Sequence, residues 1–349
     1  MNRSDATLFA LLLLVICACR TKKETPRAAT SELPGQAVLL DSAAAAQVIV
    51  IDTVEHFFER MGPADASLQL REPLPADADR ARWLPRYKAL LQRDVASFTP
   101  EEADVVRRAW TGAYNAVTAL NPNLLPPNIQ LIKTKGKHYG PGVFYTRQNA
   151  IVIPPDQLGE GALDELQSTL IHEIFHVWSR QHRAQRDSLY ALIGFAPVGV
   201  PVERLTLPDA LRNRMLLNPD GIDYAYTITL QRDGRPFEAV PLLIATPARY
   251  TSEKRDFFRY LQFQLFELKR RRGGMVLNEV LATPTGTATV NMALHPEFYA
   301  QIGDNTGYII HPEEIIAENF RMLALGEAGS GSERGQALLG DVERLLRGF

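Results

Sequence analysis

Two histidines and a glutamate in the run His172-Glu173-Ile174-Phe175-His176 have the types and spacing to hold a metal ion and use it. On an α-helix, residues four apart stack on one face, so both imidazoles can reach a single Zn²⁺ at roughly 2.0–2.1 Å. Glu173 falls about 100° further round the helix, placed to take a proton from a metal-activated water without being a ligand. The chemistry implied is metal-assisted attack of water on a carbonyl. Leu166, Leu170, Ile171, Ile174, Val177 and Trp178 supply an apolar stripe around the motif, and Asp164 and Glu165 stand in the first turn, where the helix dipole favours acids. The motif is therefore expected on a buried helix. A single inward histidine needs only one hydrogen-bond partner, whereas two with an adjacent acid are hard to satisfy without a metal.

A catalytic zinc site needs a third protein ligand and an open fourth position. Two residues compete for that place. Glu314 lies in Tyr308-Ile309-Ile310-His311-Pro312-Glu313-Glu314-Ile315-Ile316-Ala317-Glu318-Asn319-Phe320, where His311-Pro312 followed by acids reads as a helix start and Ile315, Ile316 and Phe320 as its buried face. Glu314 and Glu318 then share one side. The rival is His182, spaced from His172 as in HExxHxxGxxH, but Ser179 stands where a glycine would let the chain turn. His182 thus reads as part of a polar helix end, Arg180-Gln181-His182-Arg183.

On these residues the chain resembles the gluzincins, the thermolysin-like HExxH metallopeptidases. Their second motif is a glutamate ligand followed four residues later by an aspartate that hydrogen-bonds a ligating histidine. Glu314-Ile315-Ile316-Ala317-Glu318 matches with Glu for Asp at the last place. The resemblance implies one Zn²⁺ on His172, His176 and Glu314, Glu173 as general base, and Glu318 orienting a histidine. An oxyanion donor is also required. Tyr308 is the preferred candidate, with His295 and His311 as alternatives. The resemblance further implies an α+β, zincin-like fold, with the active-site helix under a mixed sheet whose edge strand pairs with peptide substrate. Asn149-Ala150-Ile151-Val152 is the candidate edge.

The elements that must position these groups follow from periodicity and turn residues. Helical patterns run over about 48–60, 80–97 and 100–120, the last opened by Thr99-Pro100-Glu101-Glu102. Strand-like runs cover Ile129 to Lys133 and Val143 to Ile153 ahead of the HExxH helix. Between about 190 and 290 the pattern is mostly β, in Tyr224 to Leu230, Phe237 to Thr246 and Phe257 to Leu268. This stretch reads as an insertion in one catalytic unit covering 48–349, since both its flanks supply ligands.

The ends and the composition restrict the setting. An apolar run from Leu8 to Ile16 is too short to span a bilayer and suits a signal peptide over 1–18. Ile16-Cys17-Ala18-Cys19 resembles the bacterial lipobox, which implies acylation of Cys19. Residues 19–47, rich in Ala, Ser, Thr and Pro, read as a tether. Arg20 after the lipidated position suggests an outer-membrane protein facing the periplasm. With only 2 Cys in the chain, cysteine ligation of a metal in the body is excluded. A net charge of −2 with scattered Lys and Arg gives no nucleic-acid footprint. The expected function is zinc-dependent hydrolysis of peptide bonds in a protein, a peptide or peptidoglycan cross-links, by an enzyme held to the membrane through its lipid anchor. The alternative is a non-catalytic lipoprotein using the same fold as a binding or scaffold module.

Overall fold

The computed structural model describes residues 32–199, 205–254, 256–270, 278–280, 282–283, 286–287 and 289–349. The expected signal peptide, Cys19 and the first part of the expected tether lie outside these residues. From the N-terminus, strands β1 (Glu32–Leu33) and β2 (Ala37–Leu39) precede helices α1 (Ser42–Val48), α2 (Phe57–Arg60), α3 (Pro63–Leu70) and α4 (Arg80–Asp94). Strand β3 (Val95–Ala96) and helix α5 (Pro100–Leu120) lead to β4 (Gln130–Thr134), β5 (Tyr145–Arg147) and β6 (Ala150–Ile153). Helices α6 (Leu163–Gln181) and α7 (Arg183–Leu192) follow. The β-rich stretch holds β7 (Phe195–Pro197), β8 (Leu205–Thr206), helix α8 (Asp209–Arg212), β9 (Met215–Leu216), β10 (Tyr226–Arg232), β11 (Arg235–Ala245), β12 (Leu261–Arg270) and β13 (Asn278–Val280). Helices α9 (Pro296–Ile302), α10 (Pro312–Leu325) and α11 (Glu333–Gly348) close the chain. The class is α+β.

The first sheet runs β1-β2-β4-β6-β5, with β3 on the far part of β4. β2, β4 and β6 are parallel, and β5 folds back antiparallel on β6. This corrects the expected substrate-binding edge. Ala150-Ile151-Val152-Ile153 is buried along its whole length between β4 and β5, as an unbroken apolar run is when both faces of a strand are covered. The edge is β5, reached through a tight turn in which Gln148 takes φ 57°. The run read as one strand from Val143 to Ile153 is therefore a hairpin.

The expected tether does not extend over residues 32–47. Residues 32–47 fold: Leu33, Ala37, Leu39 and Ala45 are buried, and Asp41 caps α1 by accepting from the Ala44 amide at 2.8 Å. These strands are two and three residues long, too short for composition to betray. The helical pattern over 48–60 divides instead into the end of α1 and the single turn of α2. By contrast α5 starts as its sequence dictates, with Thr99 and Glu102 forming a reciprocal capping box.

The second sheet, ordered β7-β10-β11-β12-β13-β8 with β9 beside β11, fills the stretch expected to be β-rich. It is not an independent body. Tyr226, Ile228, Leu230, Ala239 and Leu265 join the same core as α5, α6 and α10, while Leu216, Leu217, Ile222 and Leu243 join the core beneath the first sheet. Helix α6 is thus held between α5, α10 and the β5–β6 hairpin. Gly112 on α5 permits the close approach, because a Cβ there would stand 2.0 Å from the Gln167 side chain of α6.

Candidate metal centre

His172, Glu173 and His176 lie in the buried middle of α6, with 7%, 4% and 1% of their surfaces exposed. They are flanked by the apolar residues that bury the helix. Opposite stands the first turn of α10. His311 is its N-cap, with extended backbone and a ring nitrogen accepting from the Glu313 amide at 3.0 Å, and Pro312 fills the first helical position. That start brings Glu313, Glu314 and Glu318 toward α6, and the positive end of the helix dipole favours carboxylates at the first two.

The three groups expected to bind metal converge. Glu314 Oε2 is 3.1 Å from His172 Nε2 and 3.5 Å from His176 Nε2. The imidazole rings stand 4.6 Å apart between centroids. Each outer nitrogen is tied down separately: His172 Nδ1 lies 2.8 Å from Glu318 Oε1, and His176 Nδ1 lies 2.9 Å from Glu313 Oε1. Such bonds fix the tautomer that leaves Nε2 available as a ligand. Glu313 also accepts from Ser179 Oγ and the Tyr190 hydroxyl. It is fully buried, and through these bonds the acid before Glu314 anchors His176.

Loop residues that sequence reasoning did not single out complete the arrangement. Asn218 Nδ2 donates to Glu314 Oε1 at 2.5 Å, leaving Oε2 toward the histidines. Asp220, in the turn after it, accepts from the Thr146 amide and hydroxyl of β5. Gly221 lets this loop pass close over α10, since a Cβ there would meet the His311 ring at 2.5 Å and Glu313 Cβ at 3.0 Å. Asp220-Gly221 was legible only as a turn signal.

The donor set fits a divalent cation. His176 Nε2 and Glu173 Oε2 are buried without any hydrogen-bond partner, and such orphaned atoms are costly unless something occupies the space between them. One ligand atom from each of His172, Glu173 and His176 lies within 4.8 Å of the others, and the same holds for His176, Asp220 and Glu314. These buried groups can hold a metal ion.

The remaining candidates separate clearly. Tyr308 lines a cavity beside His172 and Glu173, its ring 6.4 Å from that of His172. Desolvation, then the charges of Glu314, Asp220 and Glu173, keep its hydroxyl protonated well above the ordinary tyrosine range. His311 is committed to capping and faces the Asp223 carbonyl through its other nitrogen, 3.3 Å away. His295 pairs with Glu297 and packs on Phe237, away from the cavity lining. His182 ends α6, where its Nδ1 bonds the Trp178 carbonyl at 2.8 Å and its ring stacks on Trp178. It takes no part in the cluster.

Alongside His172 and Glu173 opens a cavity of about 420 Å³. Gly142, Val143, Phe144, Phe258 and Tyr308 give it an apolar side; Glu165, Ser168, Glu318 and Arg321 line it with polar groups. Arg321 is compensated there by Glu318, Ser168 and Glu327.

Burial and mutual charge perturb these groups strongly. Burial alone would lower His172, but hydrogen bonds to Glu314 and Glu318 outweigh it and raise its pKa to about 9. Burial, reinforced by Asp220, pushes Glu173 up to about 8. For Glu314 burial acts upward, yet the charge on His176 and the bond to His172 hold it well below the usual range. The signs predict a pH profile. The raised His172 favours folding below about 6.5 and loses that contribution as pH climbs through about 9; Glu173 loses its own through about 8. The lowered Glu314, Glu313 and Glu318 act in the opposite sense, contributing above about 4.5 and failing below it. The chain is therefore expected to melt highest near pH 4.5, to lose stability from there upward as Glu173 gives up its proton, and to lose it more steeply between about pH 6.5 and 9 as His172 does so too. Added Zn²⁺ should raise the melting temperature most at the alkaline end, where no proton competes for the imidazoles. Calorimetry from pH 4 to 9 with and without the ion tests this, and a metal-free melting temperature that stays level from pH 6.5 to 9 would contradict it.

Comparison with protein-family models, curated proteins and solved structures yields no match for this chain.

Proposed function

We propose that this protein is a zinc-dependent hydrolase of peptide bonds, built on a zincin-like unit of the gluzincin kind. The observation that carries the reading is the convergence of His172 Nε2, His176 Nε2 and Glu314 Oε2, with each outer imidazole nitrogen held by its own carboxylate. His172, His176 and Glu314 would hold the ion, which when bound supplies Lewis acidity to a water and to the scissile carbonyl. The packing of α6 against the β5–β6 hairpin and α10 is consistent with that fold.

The chain's own residues divide the remaining work. Glu173 takes the proton from the attacking water through its unpartnered Oε2 and delivers it to the departing amine nitrogen. Burial favours its neutral form, while the positive charge of His176 and His172 favours the ionised form that can accept a proton. Tyr308, protonated and facing the cavity, donates to the developing oxyanion. Glu318 and Glu313 hold the imidazoles in register, and Asn218 fixes the Glu314 carboxylate. The backbone of Gly142 to Phe144, leading into the edge strand β5, gives an extended peptide a wall to lie along.

Metal analysis of the purified body, followed by cleavage of a peptide library with and without chelator, tests the reading. One zinc per chain and chelator-sensitive cleavage are expected. A stoichiometric metal without cleavage of any peptide would favour the binding-module alternative.

For its setting, we propose that Cys19 carries two acyl chains, which anchor stably where one is marginal, and that the enzyme faces the periplasm from the outer membrane. Cys19→Ser is expected to move the protein from the membrane fraction to the soluble one. Unchanged partition would place the anchor elsewhere.

A further inference from the structure

We infer that Asp220 is a further ligand of the metal, so that the ion is held by two imidazoles and two carboxylates. This rests on the reading that His172, His176 and Glu314 hold that ion. The inference begins from a mismatch of charge and contacts. Three buried carboxylates, those of Glu173, Asp220 and Glu314, stand close to two imidazoles at the inner end of the cavity. Glu314 is accounted for as a ligand and Glu173 as the base. Asp220 has neither role, and taking its carboxylate out of water is costly unless the charge is matched.

Its geometry supplies the role. Oδ1 accepts from both the amide and the hydroxyl of Thr146, at 2.5 and 2.6 Å. That hydroxyl is held in turn by Arg180 Nη2 at 2.8 Å, and Arg180 is fixed through the Gln148 carbonyl and Glu55. The carboxylate is therefore locked by one oxygen, and among the described residues no donor meets Oδ2. Asp220 offers a ligand atom within 4.8 Å of one on His176 and one on Glu314, near the limit of about 4.4 Å for two atoms that each lie 2.2 Å from one ion. His176 Nε2, buried without a hydrogen bond and 3.5 Å from Glu314 Oε2, stands beside these oxygens, an arrangement suited to a cation.

The consequence is a harder, higher-coordinate site than three ligands and a water would make. Two carboxylates would neutralise a divalent ion, and four such ligands with a water would make a five-coordinate site. Oxygen-rich sets of this kind also suit Mn²⁺ and Co²⁺, which accept more than four ligands.

Cobalt titration of the parent, Asp220→Asn, Asp220→Ala, Glu318→Ala and Glu314→Ala distinguishes the possibilities, each protein first shown folded by circular dichroism. Asn keeps an oxygen for the Thr146 donors while removing the charge. In the parent, bound Co²⁺ is expected to show the weak visible bands of a five-coordinate ion. Asp220→Asn should intensify them toward four-coordinate strength and lower affinity at least as much as Glu318→Ala, by roughly 10–100-fold, and Asp220→Ala should do the same. An unchanged spectrum and affinity in both Asp220 variants, with Glu314→Ala still losing the ion, would overturn the role of Asp220 alone. A parent that binds no Co²⁺, or a Glu314→Ala variant that binds as tightly as the parent, would overturn the metal centre beneath it.

Discussion

Glu173→Gln is expected to abolish hydrolysis while the protein keeps its metal. Glutamine has the shape of glutamate but cannot accept the proton of the attacking water, so at least the 10²–10⁴-fold typical of a general base should be lost. The residue is 4% exposed and its Oε2 has no partner to lose, so the exchange leaves the packing of α6 intact. It also removes one of three crowded carboxylates, easing repulsion with Asp220 and Glu314. Stability should therefore hold or rise. Zinc content by elemental analysis and turnover on a cleaved peptide must separate. A variant that turns over at the parental rate, or that loses zinc along with activity, would remove Glu173 from the role of base.

Where the sequence made the site legible, local periodicity and ligand spacing carried the information. The pair His172 and His176 shares a helix face by arithmetic, and the buried face of α10 announced itself in Ile315, Ile316 and Phe320. His311-Pro312 marked the helix start, and the structure shows why: the ring caps the Glu313 amide. The same residue was also a candidate oxyanion donor, and that capping bond is what withdraws it. Glu313 was hidden for a related reason. An acid in a first turn is usually solvated, and only the facing Ser179, Tyr190 and His176 reveal that this one is buried.

Contacts made by loops were the least legible. Asn218 and Asp220 sit far from either motif in sequence, on a turn whose composition indicates only that the chain reverses. Their positions depend on long-range bonds: the Leu217 amide to the buried Asp65 of α3, and Asp220 to Thr146. Strand order posed the same difficulty. Ala150 to Ile153 carries the unbroken apolar run of an interior strand, whereas its candidacy as an edge came from the resemblance to the gluzincins. Periodicity was the better guide there.

Glu314→Ala is expected to cost both zinc and activity, while His182→Ala leaves both near parental. The argument is geometric. Among the described residues Glu314 Oε2 is the one carboxylate oxygen within 4.0 Å of the Nε2 atoms of both histidines, and removing it opens the set from one side. His182 is held at the end of α6 by the Trp178 carbonyl and by stacking on the indole, so it has no path to the cluster without unwinding the helix. Glu318→Ala should fall between them, with affinity reduced roughly 10–100-fold, because Glu318 touches His172 only through Nδ1 and on the proposed reading would steady a ligand rather than be one. Competition against a chelator of known affinity ranks the three. Were Glu318→Ala the most severe, the ligand and its supporting acid would have to be exchanged along α10, a shift of one helical turn. Were His182→Ala equally damaging, the third ligand would be a histidine and α6 would have to end earlier than it does. The tethering of each outer imidazole nitrogen to its own carboxylate argues against both outcomes, since either change would free an acid that is now committed.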